Sequence, residues 1–362
     1  MTSRLKRAAL AAALALMLSP AASFQVMAQQ SQSRLNGEAT GSHAVLFIYH
    51  RFGENSIPST NIRVEQFEGH LRELLEGGYN VLPLGDIVKA LQAGETLADK
   101  TVGISIDDAY ASFYANGWPR LRAANFPFTI FIATDTIDRK APGFMSWDQL
   151  RELTESGLVT IGSQTGSHPH MPLTDPAKNA DELKRSSARI QAETGKAPTL
   201  FAYPYGEMSL AVKEQVKAAG FEAAFGQHSG VAHPGEDYFY LPRFSLNERF
   251  GDMTRFRMAA RALPLPVDDV TPRDPFINGE NPPAFGFTLA SDVRGVERMG
   301  CYYADQTLKV ERLDRRIEVR IPQALAAGRA RVNCTLPAGT DRWRWYGTQF
   351  VVPYPAGENP PD

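Results

Sequence analysis

The segment Thr101–Tyr110, TVGISIDDAY, joins a short apolar run to two acidic residues. Val102–Ile106 is rich in β-branched residues and predicts a buried strand. Asp107 and Asp108 follow directly, and carboxylates are costly to bury without partners. At the carboxyl end of a parallel strand such a pair faces a cleft, where one carboxylate can bind a cation and the other can act as a base. Taken alone, the pair also fits a solvated turn with an Asp helix cap.

The chain on both sides of this segment alternates apolar runs with amphipathic ones. Ala44–Tyr49 and Phe128–Ala133 are continuous apolar runs, which are typical of buried strands. Val64–Leu75 and Asp175–Thr194 have helical spacing. Residues whose side chains could take part in catalysis or metal binding follow strands and precede helices, which places them on one face of an α/β fold. Periodicity by itself fits both a barrel and an open doubly wound sheet.

Four stretches resemble, in order, the motifs of the polysaccharide deacetylases, carbohydrate esterase family four. The Asp107-Asp108 pair resembles the first motif, and Gly162–Pro169, GSQTGSHP, resembles the second. Phe201–Gly206, FAYPYG, resembles the third motif, and Ala44–His50 the opening strand, in the poly-N-acetylglucosamine deacetylase branch. The resemblance covers about residues 44–247. It implies a distorted (β/α)7 barrel that removes acetyl groups from an N-acetylated polysaccharide.

The resemblance also implies a division of labour between the site residues. Asp107 would be the base, and Asp108 would bind a divalent metal, Zn²⁺ or else Co²⁺ or Ni²⁺. His168 takes the place of the second His ligand, whereas Gln164 stands where the family has its first. An amide oxygen binds such metals more weakly than an imidazole nitrogen. We therefore expect a metal of lowered affinity at Asp108, Gln164 and His168. An empty site and recruitment of His170 are the alternatives.

Three more residues complete the catalytic set that the resemblance implies. The backbone N–H of Tyr205 would hold the oxyanion, although a Pro-x-Gly sequence also forms ordinary tight turns. The Arg that usually precedes the third motif is absent, since Ala202 or Phe201 stands there, and Arg243 is the candidate to orient the base. A structural salt bridge is the alternative for Arg243. His50 is the candidate acid for the leaving amine, and a structural role is its alternative.

The N-terminus has the features of a secretory signal. Three basic residues precede an apolar core, Ala8–Leu18, which is too short to span a bilayer. Residues 1–28 are predicted to be a signal peptide, with an uncleaved anchor as the alternative, and residues 29–43 a disordered leader. We expect a periplasmic or secreted protein without a membrane span in its mature chain. The net charge of −2 argues against a nucleic-acid partner.

Beyond the deacetylase-like region, which we place at residues 44–262, the sequence pattern changes. Residues 263–283 are Pro-rich and polar, which predicts a linker. Short strand-like runs over residues 284–353 predict a small all-β, sandwich-like domain, and residues 354–362 a disordered tail. Cys301 and Cys334 are the only cysteines in the sequence. In an exported chain they predict one disulfide that staples the two sheets, with free thiols as the alternative.

Two interpretations of function come from different classes. The first is an exported, metal-dependent polysaccharide de-N-acetylase whose β domain holds the polymer, with envelope polysaccharide-export proteins as partners. The second is a carbohydrate-binding protein that kept the groove but lost the metal through Gln164. An O-acetyl esterase uses the same water chemistry and is not separated by sequence. Trp343–Tyr346, WRWY, fits either a sugar-stacking platform or the aromatic core of an edge strand.

Overall fold

The protein is described here from a computed structural model that covers residues 42–339, 341–355 and 358. The predicted signal peptide and all but two residues of the predicted leader lie outside these ranges. Ser42 and His43 belong to the folded part rather than to a leader, because the Ser42 hydroxyl donates to the Glu95 carbonyl at 2.7 Å and His43 is buried. No helix in the described ranges has both the length and the apolar character needed to cross a bilayer.

The described residues contain helices in the first part of the chain and strands throughout. The helices are α1 (Val64–Glu76), α2 (Leu84–Gln92), α3 (Trp118–Ala124), α4 (Thr134–Asp138), α5 (Trp147–Glu155), α6 (Pro176–Thr194), α7 (Leu210–Ala218) and α8 (Met253–Ala260). The first strands are β1 (Val45–Tyr49), β2 (Arg51–Phe52), β3 (Asn61–Ile62), β4 (Asn80–Val81), β5 (Thr101–Asp107), β6 (Phe128–Ile132), β7 (Val159–Ser163), β8 (Leu200–Ala202), β9 (Ala223–Phe225) and β10 (Phe244–Ser245). The later strands are β11 (Leu263–Pro264), β12 (Val267–Thr271), β13 (Phe285–Leu289), β14 (Gly300–Tyr303), β15 (Gln306–Leu313), β16 (Arg316–Arg320), β17 (Gly328–Pro337) and β18 (Trp343–Val352).

The first sheet is parallel and curled, and β5 lies near its centre. Its strand order is β10-β1-β5-β6-β7-β8-β9, with β4 also paired to β5. After β9 the chain returns to the sheet, where Leu241 bridges Phe225 of β9 and Phe244 and Ser245 pair with β1. One short segment therefore connects the two edges of the sheet. This curled (β/α) half-barrel confirms the architecture that the resemblance implies and excludes an open doubly wound sheet.

Tight packing around β5 fixes the direction in which its acidic end points. The strand is buried from Thr101 to Asp107. A Cβ added to Gly103 would lie 2.8 Å from the Leu84 side chain and 3.0 Å from that of Leu46, so α2 packs directly on the strand at this glycine. Interiors this dense leave little freedom for rearrangement. The Asp107-Asp108 pair consequently emerges at one defined edge, beside the ends of β1 and β6.

The second sheet is antiparallel except for the β11–β18 pair, and it folds over on itself. Its strand order is β11-β18-β17-β14-β15-β16-β13-β12. β15 passes from one half to the other, since residues 306–308 pair with β14 and residues 309–313 with β16. As a result β13 packs on β18, with the Phe285 ring 5.4 Å from Phe350 and the Phe287 ring 5.1 Å from Tyr346. This face-to-face packing agrees with the predicted sandwich-like domain.

The predicted linker is wrong over residues 263–271, which contain two strands. Leu263–Pro264 pairs with Arg344 and Trp345 of β18, and Val267–Thr271 pairs with β13. Both strands lie at the edges of the second sheet, where prolines are tolerated because one side of the strand needs no ladder hydrogen bonds. Pro264 lies within the edge strand β11, and Pro266 and Pro272 flank the edge strand β12, so the second sheet begins at residue 263.

The predicted disulfide between Cys301 and Cys334 is present, but its structural role differs from the prediction. The two cysteines lie opposite each other on the neighbouring strands β14 and β17. The bond therefore clamps two strands of the same half of the sheet and does not staple the two packed halves together.

We expect reduction of this disulfide to lower the free energy of unfolding by about 3–4 kcal/mol, because the bond closes a loop with a sequence separation of 33 residues in the unfolded chain. Urea denaturation with and without reductant measures the difference. The Cys301→Ala/Cys334→Ala variant is the control and should not respond to reductant. Two reactive thiols in denatured, unreduced protein would contradict the bond.

His70 is a buried histidine that ties α1 to β1. Its Nε2 lies 2.8 Å from the Gly251 carbonyl and its Nδ1 lies 3.0 Å from the Tyr49 hydroxyl. Since a carbonyl only accepts, Nε2 carries the proton and Nδ1 accepts from Tyr49. The ring also stacks on Phe256 at 4.0 Å. Burial lowers the pKa of His70 to about 4, so the folded protein holds this imidazole neutral.

We expect this histidine to make folding sensitive to acid. The pKa of His70 is lower in the folded state than in the unfolded state. Between about pH 6.5 and pH 4 the unfolded chain therefore binds a proton that the folded chain does not, and the free energy of unfolding decreases as the pH is lowered. The contribution is about 3 kcal/mol over that range. Urea denaturation of the wild type and His70→Gln at pH 7, 5.5 and 4.5 isolates it. The difference in free energy of unfolding between the wild type and His70→Gln should shrink as the pH is lowered. A difference that does not change with pH would refute the assignment.

Candidate active site

A buried ion pair lies behind the candidate site. Asp107 and Arg243 both have no exposed surface. Arg243 Nη1 donates to Asp107 Oδ1 at 2.7 Å and Nη2 donates to Oδ2 at 3.0 Å. The same guanidinium donates to the Gly226 carbonyl and to the Ser105 hydroxyl, each at 2.9 Å. The Asp107 carboxylate is thereby held in one orientation, which is the position that the predicted orienting role of Arg243 requires.

Arg243 reaches Asp107 from the segment that connects the two edges of the first sheet. Its backbone N–H donates to the His228 carbonyl at 2.9 Å. Its guanidinium carbon lies 5.3 Å from the Phe131 ring centre and 5.9 Å from that of Phe225. Arg243 thus reaches Asp107 from the segment before β10, and not from the end of β8, where the resemblance places the family's usual Arg and this chain has Ala202. Aromatic faces on which a guanidinium can stack surround the buried charge.

Gln164 contacts the same carboxylate. Its Nε2 donates to Asp107 Oδ2 at 3.3 Å, and its backbone N–H donates to the Ile132 carbonyl at 2.9 Å. Its Oε1 is buried and has no hydrogen-bond partner among the described residues. The amide therefore supports Asp107 with one atom and leaves an oxygen acceptor unsatisfied with the other.

Asp108 and His168 lie together at the cleft. Asp108 Oδ1 is 3.6 Å from His168 Nε2, and this nitrogen is buried without a hydrogen-bond partner in the described chain. Both residues have left-handed backbone conformations, with φ of 73° and 61°, which are uncommon outside glycine and cluster at functional sites. Burial lowers the pKa of His168 to about 4 and raises the pKa of Asp108. At neutral pH His168 is therefore in the neutral form that binds metals.

Tyr205 lies in the Pro-Tyr-Gly turn with φ 58° and ψ 7°. Its ring stacks on His170 at 4.1 Å and meets the edge of His168 at 4.5 Å. His170 Nδ1 lies 2.7 Å from the buried Glu207 carboxylate. His170 is thus committed to Glu207 and Tyr205. This pairing engages Nδ1 only, so the recruitment of His170 as a replacement ligand through Nε2 stays an alternative.

A cleft of about 660 Å³ opens over these groups. His50, Asp108, His168 and Tyr205 line it, whereas Asp107, Gln164 and Arg243 are fully buried behind its wall. Burial lowers the pKa of His50. Every residue that the sequence predicted for the site therefore lies at the cleft or directly behind it.

The second sheet supplies cleft residues that sequence reasoning missed. Gln349 Nε2 donates to the Tyr205 carbonyl at 3.1 Å, and Arg331 Nε donates to Gln349 Oε1 at 2.7 Å. Arg329 and Arg331 line the cleft, and so does Tyr354, which the sequence predicted to lie in the tail. The signal was present in β17, GRARVNCTLP, where two arginines alternate with buried apolar residues and must share a face.

The residues present fit a divalent metal with two strong ligands and one weak one. The unpartnered buried atoms His168 Nε2 and Gln164 Oε1 are suitable donors, and Asp108 adds a carboxylate. Across the described ranges no three His, Cys, Asp or Glu side chains group in a way that would hold a metal ion. The third ligand would therefore have to be the amide oxygen, which is a weak donor to Zn²⁺.

The first sheet thus forms a curled (β/α) domain with paired carboxylates and a histidine at its cleft. Residues 94–224 match the family model described as polysaccharide deacetylase. The poly-beta-1,6-N-acetyl-D-glucosamine N-deacetylase of Escherichia coli (strain K12) is 23% identical over 218 residues, 49% of this chain and 32% of that protein. The protein of the same name from Staphylococcus epidermidis is 24% identical over 208 residues, 54% of this chain and 72% of that protein.

Solved structures show the same fold. IcaB from Ammonifex degensii is 25% identical with a TM-score of 0.55 and covers 61% of this chain and 98% of its own. The Streptococcus pyogenes deacetylase PplD in complex with acetate is 19% identical with a TM-score of 0.55, covering 58% of this chain and 95% of its own. Residues 94–224 therefore lie in a polysaccharide deacetylase domain, which is the domain of an amide hydrolase. The chain spans about a third of the length of the E. coli relative.

The buried ion pair predicts strong coupling between Asp107 and Arg243. Asp107→Asn leaves a buried guanidinium without its counter-charge, and Arg243→Gln leaves a buried carboxylate, so each should lower the free energy of unfolding by about 3–5 kcal/mol. The double variant should lose much less than the sum, because neither charge is left alone. Urea denaturation of the four proteins measures this coupling. Arg320→Gln, which breaks an exposed pair with Glu311, is the control and should be nearly neutral. Additive losses in the double variant would contradict the pairing.

Proposed function

We propose that this chain is an exported, metal-dependent N-deacetylase that hydrolyses acetamido groups of an N-acetylated envelope or matrix polysaccharide. The observation that carries the proposal is the Asp107 carboxylate, held by Arg243 directly behind Asp108 and His168. The relatives named as poly-beta-1,6-N-acetyl-D-glucosamine N-deacetylases support an N-acetylated glycan as substrate. Export to the periplasm or beyond, and any polysaccharide-export partner, rest on the signal-like residues 1–28.

Asp108, His168 and the amide oxygen of Gln164 would hold the metal, Zn²⁺ or else Co²⁺ or Ni²⁺. Such an ion lowers the pKa of a bound water and polarises a carbonyl. Asp107 has no exposed surface, so it would take its proton only from a water already seated against it. A filled cleft would keep that water apart from bulk solvent.

The remaining residues would complete amide hydrolysis. The water oxygen forms a bond to the acetyl carbon, and the Tyr205 backbone N–H would donate to the negative oxygen that develops there. The carbon–nitrogen bond then breaks, acetate leaves, and the sugar nitrogen receives a proton to become the free amine. His50, which lines the same cleft, would relay to this nitrogen the proton that Asp107 has taken from the water, so that both side chains return to their starting forms. Arg243 acts through Asp107 and is a positioning residue.

A second candidate function is binding of a glycan without hydrolysis. It is favoured by one observation, the Gln164 amide bonded to Asp107 where the family has a metal-binding His. An O-acetyl esterase would use the same groups on an ester. The acetyl linkage of the substrate offered in an assay separates this possibility from the N-deacetylase.

We expect acetate release from N-acetylglucosamine oligosaccharides when the protein is supplied with Zn²⁺, Co²⁺ or Ni²⁺, and none after chelation or in Asp108→Asn. Gln164→His should tighten metal binding about tenfold to a hundredfold, about 1.4–2.8 kcal/mol, because an imidazole replaces an amide oxygen. Metal titration and acetate assays of both proteins measure these effects. Gln191→His, on the exposed face of α6, is the matched control and should bind as the wild type does.

The outcomes separate the candidates. Acetate release by the wild type supports the N-deacetylase. Metal binding without acetate release in both the wild type and Gln164→His supports the binding protein. No gain of metal affinity in Gln164→His would mean that residue 164 does not face a metal.

A further inference from the structure

Two arginines of the second sheet lie in the catalytic cleft. Arg329 and Arg331 alternate along β17 with the buried residues Ala330 and Val332, so both side chains point to the same face of the sheet. Both line the cleft beside Tyr205, and both are solvent-exposed. The second sheet therefore brings two positive charges to the wall of a site that the first sheet builds.

These charges are incompletely neutralised. Arg329 Nε lies 3.9 Å from Glu207, but the other oxygen of that carboxylate is already 2.7 Å from His170. Arg331 donates only to neutral acceptors, the amide oxygens of Gln349 at 2.7 Å and Gln227 at 3.4 Å. Among the ion pairs of the described residues, none includes Arg331. Desolvation by the surrounding cleft wall and the charge of Arg329 lower the pKa of Arg331 only to about 10, so its guanidinium stays charged at neutral pH.

The rest of the cleft wall does not supply the missing negative charge. Asp108 is the one Asp or Glu among the described residues that line it, and the proposed metal would take that carboxylate. Arg51, which also lines the cleft, is already paired with Glu54 at 2.8 Å. Like charges at neighbouring positions of one strand face repel each other. An arrangement that costs stability in the free protein is best explained by an anion that arrives with the substrate.

We propose that Arg329 and Arg331 bind an anionic substituent of the substrate, so that the preferred substrate is an acidic N-acetylated glycan rather than a neutral polymer of N-acetylglucosamine. A guanidinium pairs with carboxylate or phosphate through charge-assisted, often bidentate, hydrogen bonds. The reaction on this glycan rests on the function proposed above, whereas its binding does not.

The geometry limits where the anion sits on the glycan. The Tyr205 ring centre is 5.3 Å from the Arg329 guanidinium carbon and 4.5 Å from the His168 ring. The arginine is therefore separated from the reacting groups by the width of one aromatic ring. The anion belongs to the sugar that carries the reacting acetamido group or to the sugar next to it.

Calorimetric titration of the full chain tests this inference without requiring turnover. The probes are three oligosaccharides of equal length: neutral N-acetylglucosamine, N-acetylglucosamine alternating with glucuronic acid, and phosphate-substituted N-acetylglucosamine. We expect at least one acidic probe to bind about tenfold or more tighter than the neutral one at about 50 mM salt, with the advantage shrinking at about 500 mM. The tighter of the two acidic probes identifies the anion as carboxylate or phosphate.

Variants assign the preference to the two arginines. Arg329→Gln/Arg331→Gln should abolish it, and Arg331→Lys should keep part of it, because the charge remains while the planar fork is lost. Arg320→Gln, an exposed arginine of β16 outside the cleft, removes the same charge and should keep the full preference. Equal binding of neutral and acidic probes by the wild type, or an unchanged preference in the double variant, would overturn the inference.

Acetate release from the same three probes separates this inference from the proposed function. An intact binding preference with no acetate from any probe would overturn the deacetylase and leave the acidic-glycan inference standing. Acetate release without any preference for an acidic probe would do the reverse.

Discussion

The ion pair between Asp107 and Arg243 is the interaction on which the rest of the site depends. Asp107 ends the central strand β5, and Arg243 belongs to the segment that connects the two edges of the curled sheet. Two fully buried charges are tolerated because each is the other's partner and two further donors of the guanidinium bond to Ser105 and Gly226. The segment that closes the sheet therefore also carries the arginine that orients the Asp107 carboxylate.

The two sides of the site differ in how firmly the chain specifies them. On the Asp107 side, a bidentate pair and the Gln164 amide fix the carboxylate. On the Asp108 side, the His168 nitrogen and the Gln164 oxygen are left without partners in the described chain. The strained backbones of Asp108 and His168 nevertheless hold both side chains at the cleft. The fold therefore fixes the orientation of the proposed base, Asp107, whereas binding of a metal would depend on one weak ligand, Gln164.

The second sheet is part of the site and of the core. Trp345 of β18 is buried in the same apolar cluster as the strands of the first sheet, with its ring 5.1 Å from Phe244. Phe244 directly follows Arg243, so the second sheet packs against the segment that carries the buried arginine. Gln349 supports the Tyr205 turn from the same strand, β18. A mutation that loosened β18 would therefore disturb the sheet closure and the proposed oxyanion turn together.

Sequence patterns identified the parts of the site that depend on local spacing. Asp107, Asp108, His168 and Tyr205 each follow an apolar run, and the ends of parallel strands meet at one edge, so their proximity followed from the order of the elements. The disulfide was predictable from the presence of only two cysteines in a chain with a signal-like N-terminus, and the curled sheet was implied by the family resemblance and not by periodicity. The prediction of a linker from composition was wrong in part, because prolines in and beside residues 263–271 suit an edge strand as well as a linker.

Only the tertiary structure decided which distant side chains complete the site. Arg243 was a candidate from its place after the last strand of the first sheet, but its bidentate contact with Asp107 depends on the sheet curling until its edges meet. Arg329, Arg331 and Gln349 lie more than a hundred residues beyond the Tyr205 turn in sequence, and they reach it because the second sheet packs against the first. Local periodicity carries no information about such contacts, since they are set by how two separately patterned sheets pack together.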